Sequence, residues 1–298
     1  MKKLFSVIII TGIFISGVAL ADHVNYAVLF SGGIEDRQNY VRYYDETIRM
    51  WGIMTGILGF DVKNVYVLAA DGTYMADDMN RGDYDYPDLD NSDWSAITNT
   101  GGNIASALAE NLRDTFTAIG NIIDSDDSFY FWSFDHGGGS SITGPPNDST
   151  VLWAWGDDIS DNTFATWLQP IWDKNPLGEA YFFAQCFAGG MVDDLNILSG
   201  ENRFAAWAAD WYEYSWGQGW ADALADGLEA GLRNTWDLGN YAMSNDPYGP
   251  GGTGAEHPGW VGANFHVVTN KPVPEPATMI LIGSGLLGLA GLRRKFKK

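Results

Sequence analysis

The sequence predicts an α/β domain of three layers, with helices on both faces of a mostly parallel central sheet. Two observations predict it. Short apolar runs appear without polar alternation, as strands buried on both faces require, and segments of helical period stand between them. Composition sets the outer limits. The 298 residues carry 38 acidic against 17 basic side chains, a formal charge of −21, which excludes a basic nucleic-acid binder. An apolar share of 46% is too high for a disordered chain.

The first strand is Asn25 to Phe30 (NYAVLF), closed by Ser31-Gly32-Gly33. Asp45 to Leu58 then places Ile48, Met50, Trp51, Met54, Ile57 and Leu58 at mostly helical spacing, and Asn64 to Ala70 (NVYVLAA) returns as a strand. These three form a β-α-β unit, which implies parallel pairing and a right-handed crossover. Asp71 to Asp93 is polar and reads as a long surface loop. Ile104 to Ile119 has Ile104, Leu108, Leu112 and Phe116 four apart and predicts the second helix. Ser128 to Phe134 (SFYFWSF) is an aromatic strand, Asn162 to Ile171 a further helix, and Ala180 to Gln185 (AYFFAQ) the next strand. Beyond Arg203 the pattern blurs, with one helix expected over Trp220 to Leu232.

The two ends read as addresses. Met1 to Ala21 has a basic start, an apolar stretch and an Ala19-Leu20-Ala21 close, the layout of a secretory signal cleaved after Ala21. The working domain is then 22–272. At the other end, Pro274-Glu275-Pro276 precedes an apolar stretch from Ala277 to Leu292 and a basic tail from Arg293. These three parts, residues 273–298, resemble the PEP-CTERM sorting signal of Gram-negative bacteria. The resemblance implies an exosortase as processing partner, transient membrane association through the short C-terminal apolar helix, and delivery to the cell surface or the exterior.

The chain has one cysteine, so it holds no internal disulfide. A leftover thiol in an exported protein is either a reactive group or a buried apolar filler. Its surroundings favour the first. Cys186 follows an apolar strand and leads into Phe-Ala-Gly-Gly, and His136 follows another strand and leads into three glycines. Ligands of parallel sheets sit beyond the carboxyl ends of the strands, so an imidazole and the sole thiol are expected on one rim. A thiol attacks a carbonyl as thiolate and needs a base and backbone donors for the oxyanion, which neighbouring glycines allow the chain to supply. His lies 50 residues upstream of Cys, the caspase spacing.

The blocks YFWSFDHGGG and AYFFAQCFAGGM, with Asn39-Tyr40 and Asp45 after the first strand, resemble the caspase-like (clan CD) cysteine peptidases, above all legumain-type and related bacterial members. The resemblance spans roughly Asn25 to Leu195. It implies a caspase-like fold, Cys186 as nucleophile, His136 as general acid, and the N–H groups of Gly137 and Cys186 as oxyanion donors. Asn39 would orient the histidine. Arg42 and Gln185 would line the substrate pocket, favouring Asn or Asp before the cut bond. Ala188 and the order Ala184-Gln185 depart from the family pattern.

The acidic loop offers hard oxygen ligands suited to Ca²⁺, or is simply a solvated face; it is no EF-hand. No other metal or cofactor is expected, since His23, His257 and His266 lack ligand spacing. The tryptophans between Trp207 and Trp220 serve as aromatic core or as a stacking platform for sugars. The resulting expectation is an exported cysteine endopeptidase acting on peptide or protein substrates. Its alternative is a catalytically silent surface or matrix binding protein on the same scaffold.

Overall fold

The structure, a computed structural model, describes residues 23–35, 38–72, 94–139, 150–197 and 202–267. The expected secretory signal, most of the acidic loop and the C-terminal sorting segment lie outside these residues. Seven strands form the main sheet: β1 (Asn25–Ser31), β2 (Val65–Ala69), β3 (Asn103–Ala105), β4 (Ser128–Ser133), β8 (Gly178–Phe183), β9 (Arg203–Trp207) and β10 (Gly259–Gly262). They stand in the order β10-β9-β8-β4-β1-β2-β3. Every pairing is parallel except β10 with β9 at one edge.

Residues alternate between two cores, one on each face. Ala27, Leu29, Tyr130, Trp132 and Phe182 meet the helices α1 (Val41–Gly52), α5 (Gly219–Glu229) and α6 (Thr235–Asn245) through Tyr43, Met50, Trp220, Leu224 and Leu238. Val28, Phe30, Phe129, Phe131 and Phe183 meet α3 (Ala109–Ile122) and α4 (Asp161–Trp172) through Leu112, Phe116, Phe164 and Leu168. The expected three layers are therefore present. In the second core the rings of Phe116, Phe131, Phe164 and Phe183 lie with centroids 4.8–5.9 Å apart, mostly edge to face. Each buried ring contributes about 1.5–3 kcal/mol of transfer free energy.

Two local readings are corrected. The helix expected from Ile104 begins at Ala109, because Asn103–Ala105 pairs in parallel with Tyr66–Leu68 as the edge strand β3. Leu108 has extended backbone angles, so the apolar spacing from Ile104 to Leu108 crosses an element boundary. The first helix starts four residues earlier than its periodicity suggests and ends in a π turn, Ile53–Ile57. A short helix α2 (Ser95–Thr98) and a small antiparallel sheet of β5 (Gly137–Gly138), β6 (Val151–Ala154) and β7 (Asp157–Ser160) were not anticipated. That small sheet packs against the turn after β1: a Cβ on Gly32 would lie 1.9 Å from the Trp153 carbonyl oxygen.

Candidate active site at the carboxyl rim of the sheet

His136 and Cys186 leave the carboxyl ends of the adjacent strands β4 and β8 and line one cavity of about 180 Å³. Tyr40, Arg42 and Tyr43 from the start of α1, Asp135, and Ser215 and Gly217 from the segment between β9 and α5 complete its wall. Both chemical groups are half-buried.

The imidazole is held on several sides. Its Nε2 lies 2.9 Å from the Gln38 carbonyl oxygen, which can only accept, so Nε2 carries the hydrogen and Nδ1 of the neutral ring keeps its lone pair. The Tyr43 hydroxyl is 3.4 Å from the same nitrogen. The rings of Tyr40, Tyr43 and Trp153 each have centroids 5.4 Å from the imidazole. Burial pushes the His136 pKa below its ordinary value, the Gln38 carbonyl opposes this, and the Arg42 charge adds to the drop.

Asp135, the residue before the histidine, is buried. One carboxylate oxygen accepts from the Gly33 amide and the other from the His136 amide. It therefore ties the turn after β1 to the turn after β4. Burial raises its pKa to about 7, against the pull of the Gly33 and His136 amides, of Arg42 and of the Gly32 amide.

Cys186 sits one residue before a left-handed turn, with Phe187 at φ 59°. A bulky residue there is strained, and it is retained by the Phe187 amide bonding to the Glu213 carbonyl at 2.9 Å and by ring contact with Tyr214 at 5.0 Å. The thiol donates to the Ser215 carbonyl at 3.8 Å. Burial pushes the Cys186 pKa up, backbone hydrogen bonds from Ser215, Gly137 and Cys186 itself pull it down, and the charge of Glu256 adds to the rise. With thiol raised and imidazole lowered, the resting pair is uncharged around neutrality.

The glycine after the histidine is required by space. A Cβ on Gly137 would lie 2.2 Å from the Cys186 carbonyl oxygen and 2.7 Å from Cγ of Gln185. Close approach brings the Gly137 amide to the sulfur. Arg42 lies against two rings, with its guanidinium carbon 4.3 Å from the Tyr40 centroid and 5.0 Å from that of Tyr43. It is the only Lys or Arg among the described residues that line this cavity.

Two expected roles meet a different arrangement. Gln185 is fully buried with its Oε1 accepting from Ser133 Oγ at 2.7 Å, so it braces the two strand ends beneath Gly137 and has no surface to offer a substrate. Asn39 is buried beneath Gly33, whose missing Cβ would touch it, while the preceding residue supplies the carbonyl that orients His136. Asp135, Tyr43, Trp153 and Ser215 escaped the sequence reading. Asp135 adjoins His136 in the chain, but nothing in the spacing of these four residues signals burial or approach to the imidazole.

Among the described residues, carboxylate oxygens of Asp161, Asp193 and Asp194 lie within 4.8 Å of one another, and none of the three belongs to the stretch Asp71 to Asp93 read as a calcium candidate. Burial, with Asp194 and Asp161 beside it, pushes Asp193 up to about 6. Of the tryptophans between Trp207 and Trp220, Trp220 is core, whereas Trp216 is 58% exposed.

Residues 272–295 match the PEP-CTERM protein-sorting motif. The tail is a PEP-CTERM sorting signal. A PEP-CTERM motif implies processing by an exosortase. Among the described residues no helix is long and apolar enough to cross a membrane, and the apolar stretch of the motif lies outside them. No curated protein matches the chain. Among solved structures, protein GSU0716 from Geobacter sulfurreducens is similar with a TM-score of 0.49 and 11% identity, covering 86% of this chain and 96% of that one. The caspase drICE is similar with a TM-score of 0.45 and 11% identity, covering 82% and 91%.

Proposed function

We propose that the chain is an exported cysteine endopeptidase of caspase-like type, with Cys186 and His136 as its catalytic dyad. The observation that carries this reading is the convergence of the only thiol and a fixed imidazole on one cavity, with the Gly137 amide beside the sulfur. In the reaction the sulfur attacks the peptide carbonyl as its proton passes to Nδ1 of His136. The amides of Gly137 and Cys186 stabilise the oxyanion. The protonated His136 then gives that proton to the departing amine, and water hydrolyses the thioester to restore the thiol. Because both groups rest uncharged, proton transfer accompanies attack.

Arg42 is the electrophilic feature of the cavity and serves to bind an Asp or Asn side chain ahead of the cut bond. Asn39 acts on the histidine indirectly, through the segment that presents the Gln38 carbonyl. Delivery by signal peptide and sorting tail places the enzyme at the cell surface or beyond, after exosortase-type trimming. Replacement Cys186→Ala is expected to abolish peptide hydrolysis and thiol alkylation with unchanged circular dichroism. Hydrolysis surviving that change would sink the assignment.

A silent binding protein is favoured by one observation, the exposure of Tyr212, Tyr214 and Trp216 beside the cavity. Under that reading glycan retention persists in Cys186→Ala and no peptide is cut by the parent.

A further inference from the structure

The segment joining β9 to α5 forms a strap across the thiol. Its Ser215 carbonyl meets the sulfur, and Ser215 and Gly217 line the cavity. Two consecutive residues beyond α6 fasten it. On the outside, Nδ1 of His257 lies 2.8 Å from a Glu213 carboxylate oxygen, and the other Glu213 oxygen accepts from the Asp210 amide at 2.9 Å. On the inside, Oε2 of Glu256 accepts from the Trp216 amide at 2.7 Å.

The inner fastening is unusual in its charge. Glu256 and Asp246 are both buried, at 0% and 2% exposure, and Asp246 is the neighbouring carboxyl that acts on Glu256. Asp246 Oδ1 accepts from the Tyr248 amide at 3.0 Å. If both groups were ionised, Oε1 of Glu256 and Oδ2 of Asp246 would be sealed from water with no donor between them. A single proton held between them would satisfy both oxygens. Two bare carboxylates there would combine the cost of burial with that of like charge. The Ser215 hydroxyl is likewise shielded from solvent and has no hydrogen-bond partner among the described residues.

We propose that Glu256 and Asp246 share one proton, and that this protonated pair is a positioning device that holds Ser215 against Cys186 and keeps a second negative charge away from the nucleophile. Glu256 is thus a positioning residue that acts on the thiol through the strap and through its field. The proposal deepens the peptidase reading and depends on it only for its effect on hydrolysis. Burial, then the contact with Asp246, raises Glu256 to about 8, which agrees with a retained proton at neutral pH. The ionisable groups around the device are Asp246 at the end of α6, Cys186 after β8, and Asp210, Glu213 and His257 at the outer fastening. His257 is raised by its Glu213 partner, so the outer fastening weakens as pH rises, in the same direction as loss of the inner proton.

The test is the pH dependence of iodoacetamide alkylation in the full chain, which reports Cys186 alone because no other cysteine exists. Parent, Glu256→Gln and Asp246→Asn are compared, with circular dichroism to establish folding and peptide hydrolysis measured alongside. Gln copies the neutral carboxyl. Alkylation of parent and Glu256→Gln should coincide below about pH 7 and diverge above about pH 8, the variant reacting about three- to tenfold faster once the parent's pair carries two charges. The Asp246→Asn amide donates permanently, frees Glu256 to ionise at lower pH, and should slow alkylation about threefold near pH 7. Superimposable profiles for the parent and either folded variant overturn the proposal. If the profiles diverge while no peptide is cut, the shared proton stands and the peptidase reading falls. If peptide is cut while the profiles coincide, the peptidase reading stands and the shared proton falls.

Discussion

Replacing Gly137 by alanine probes the geometry of the site through a single methyl group. The added carbon would lie 2.2 Å from the Cys186 carbonyl oxygen, about 0.8 Å inside the 3.0 Å that real Cβ contacts respect. The oxygen belongs to backbone in a strained turn and the second obstacle is Cγ of Gln185, itself fully buried. Neither can swing aside as a surface side chain would. Gly137 is also paired with Leu152, so β5 resists moving outward. Relief therefore separates the Gly137 amide from the sulfur by an appreciable part of an ångström. Overpacking of this kind costs about 1–3 kcal/mol of stability. Misplacement near 1 Å at a reacting centre costs roughly a hundredfold in rate. The assay combines peptide turnover, the alkylation rate of Cys186 and a thermal melt. Gly138→Ala is the control, since its methyl would meet the movable side chains of Val151 and Trp153 at 2.7 and 3.0 Å. Wild-type alkylation and melting in Gly137→Ala, or an equal loss in Gly138→Ala, would refute the reasoning.

Two further outcomes follow from buried titrating groups. Burial, foremost, lifts Glu46 and Glu256 to about 8 and Asp135 to about 7, whereas an unfolded chain releases those protons near pH 4. Folding then takes up protons between these values, so the stability involved is full below about pH 4 and is lost as pH rises through about 7 to 8. The urea midpoint should fall from about pH 5.5 to about pH 8.5, and a midpoint that climbs over that interval contradicts the assignment. The acid limb of kcat/KM should lie below the ordinary imidazole range, because burial disfavours protonated His136. A limb at or above about 6.5 would mean that the ring is solvated in the free enzyme.

The fold class is legible because its strands are buried on both faces and therefore spell continuous apolar runs, as Asn25–Ser31 and Ser128–Ser133 do. The two side chains proposed as the dyad are legible for a related reason: each stands where such a run breaks into glycine, and the space around Gly137 shows why no larger residue fits. Local pattern has less to say about pieces whose structure is made by distant partners. β5 is two glycines paired to β6, with no propensity of its own. Ile104 continues a helical spacing yet pairs as an edge strand with β2. The strap around Ser215 owes its path to Glu256, forty residues away, and Asp135 reads as an ordinary acidic residue until its burial is known. The pocket role of Gln185 comes from the family resemblance, which carries no information on burial, whereas in the structure Ser133 offers it a partner inside.

The small sheet has a consequence for how such a site can change. Cysteine and histidine are anchored to the main sheet, but the amide donor beside the sulfur rides on an appended three-stranded flap. In the reaction proposed above, alterations in β6 or β7 would therefore tune the hold on a developing negative charge while the hydrophobic interior stays as it is. Reactivity and foldability are carried by separable parts of one polypeptide.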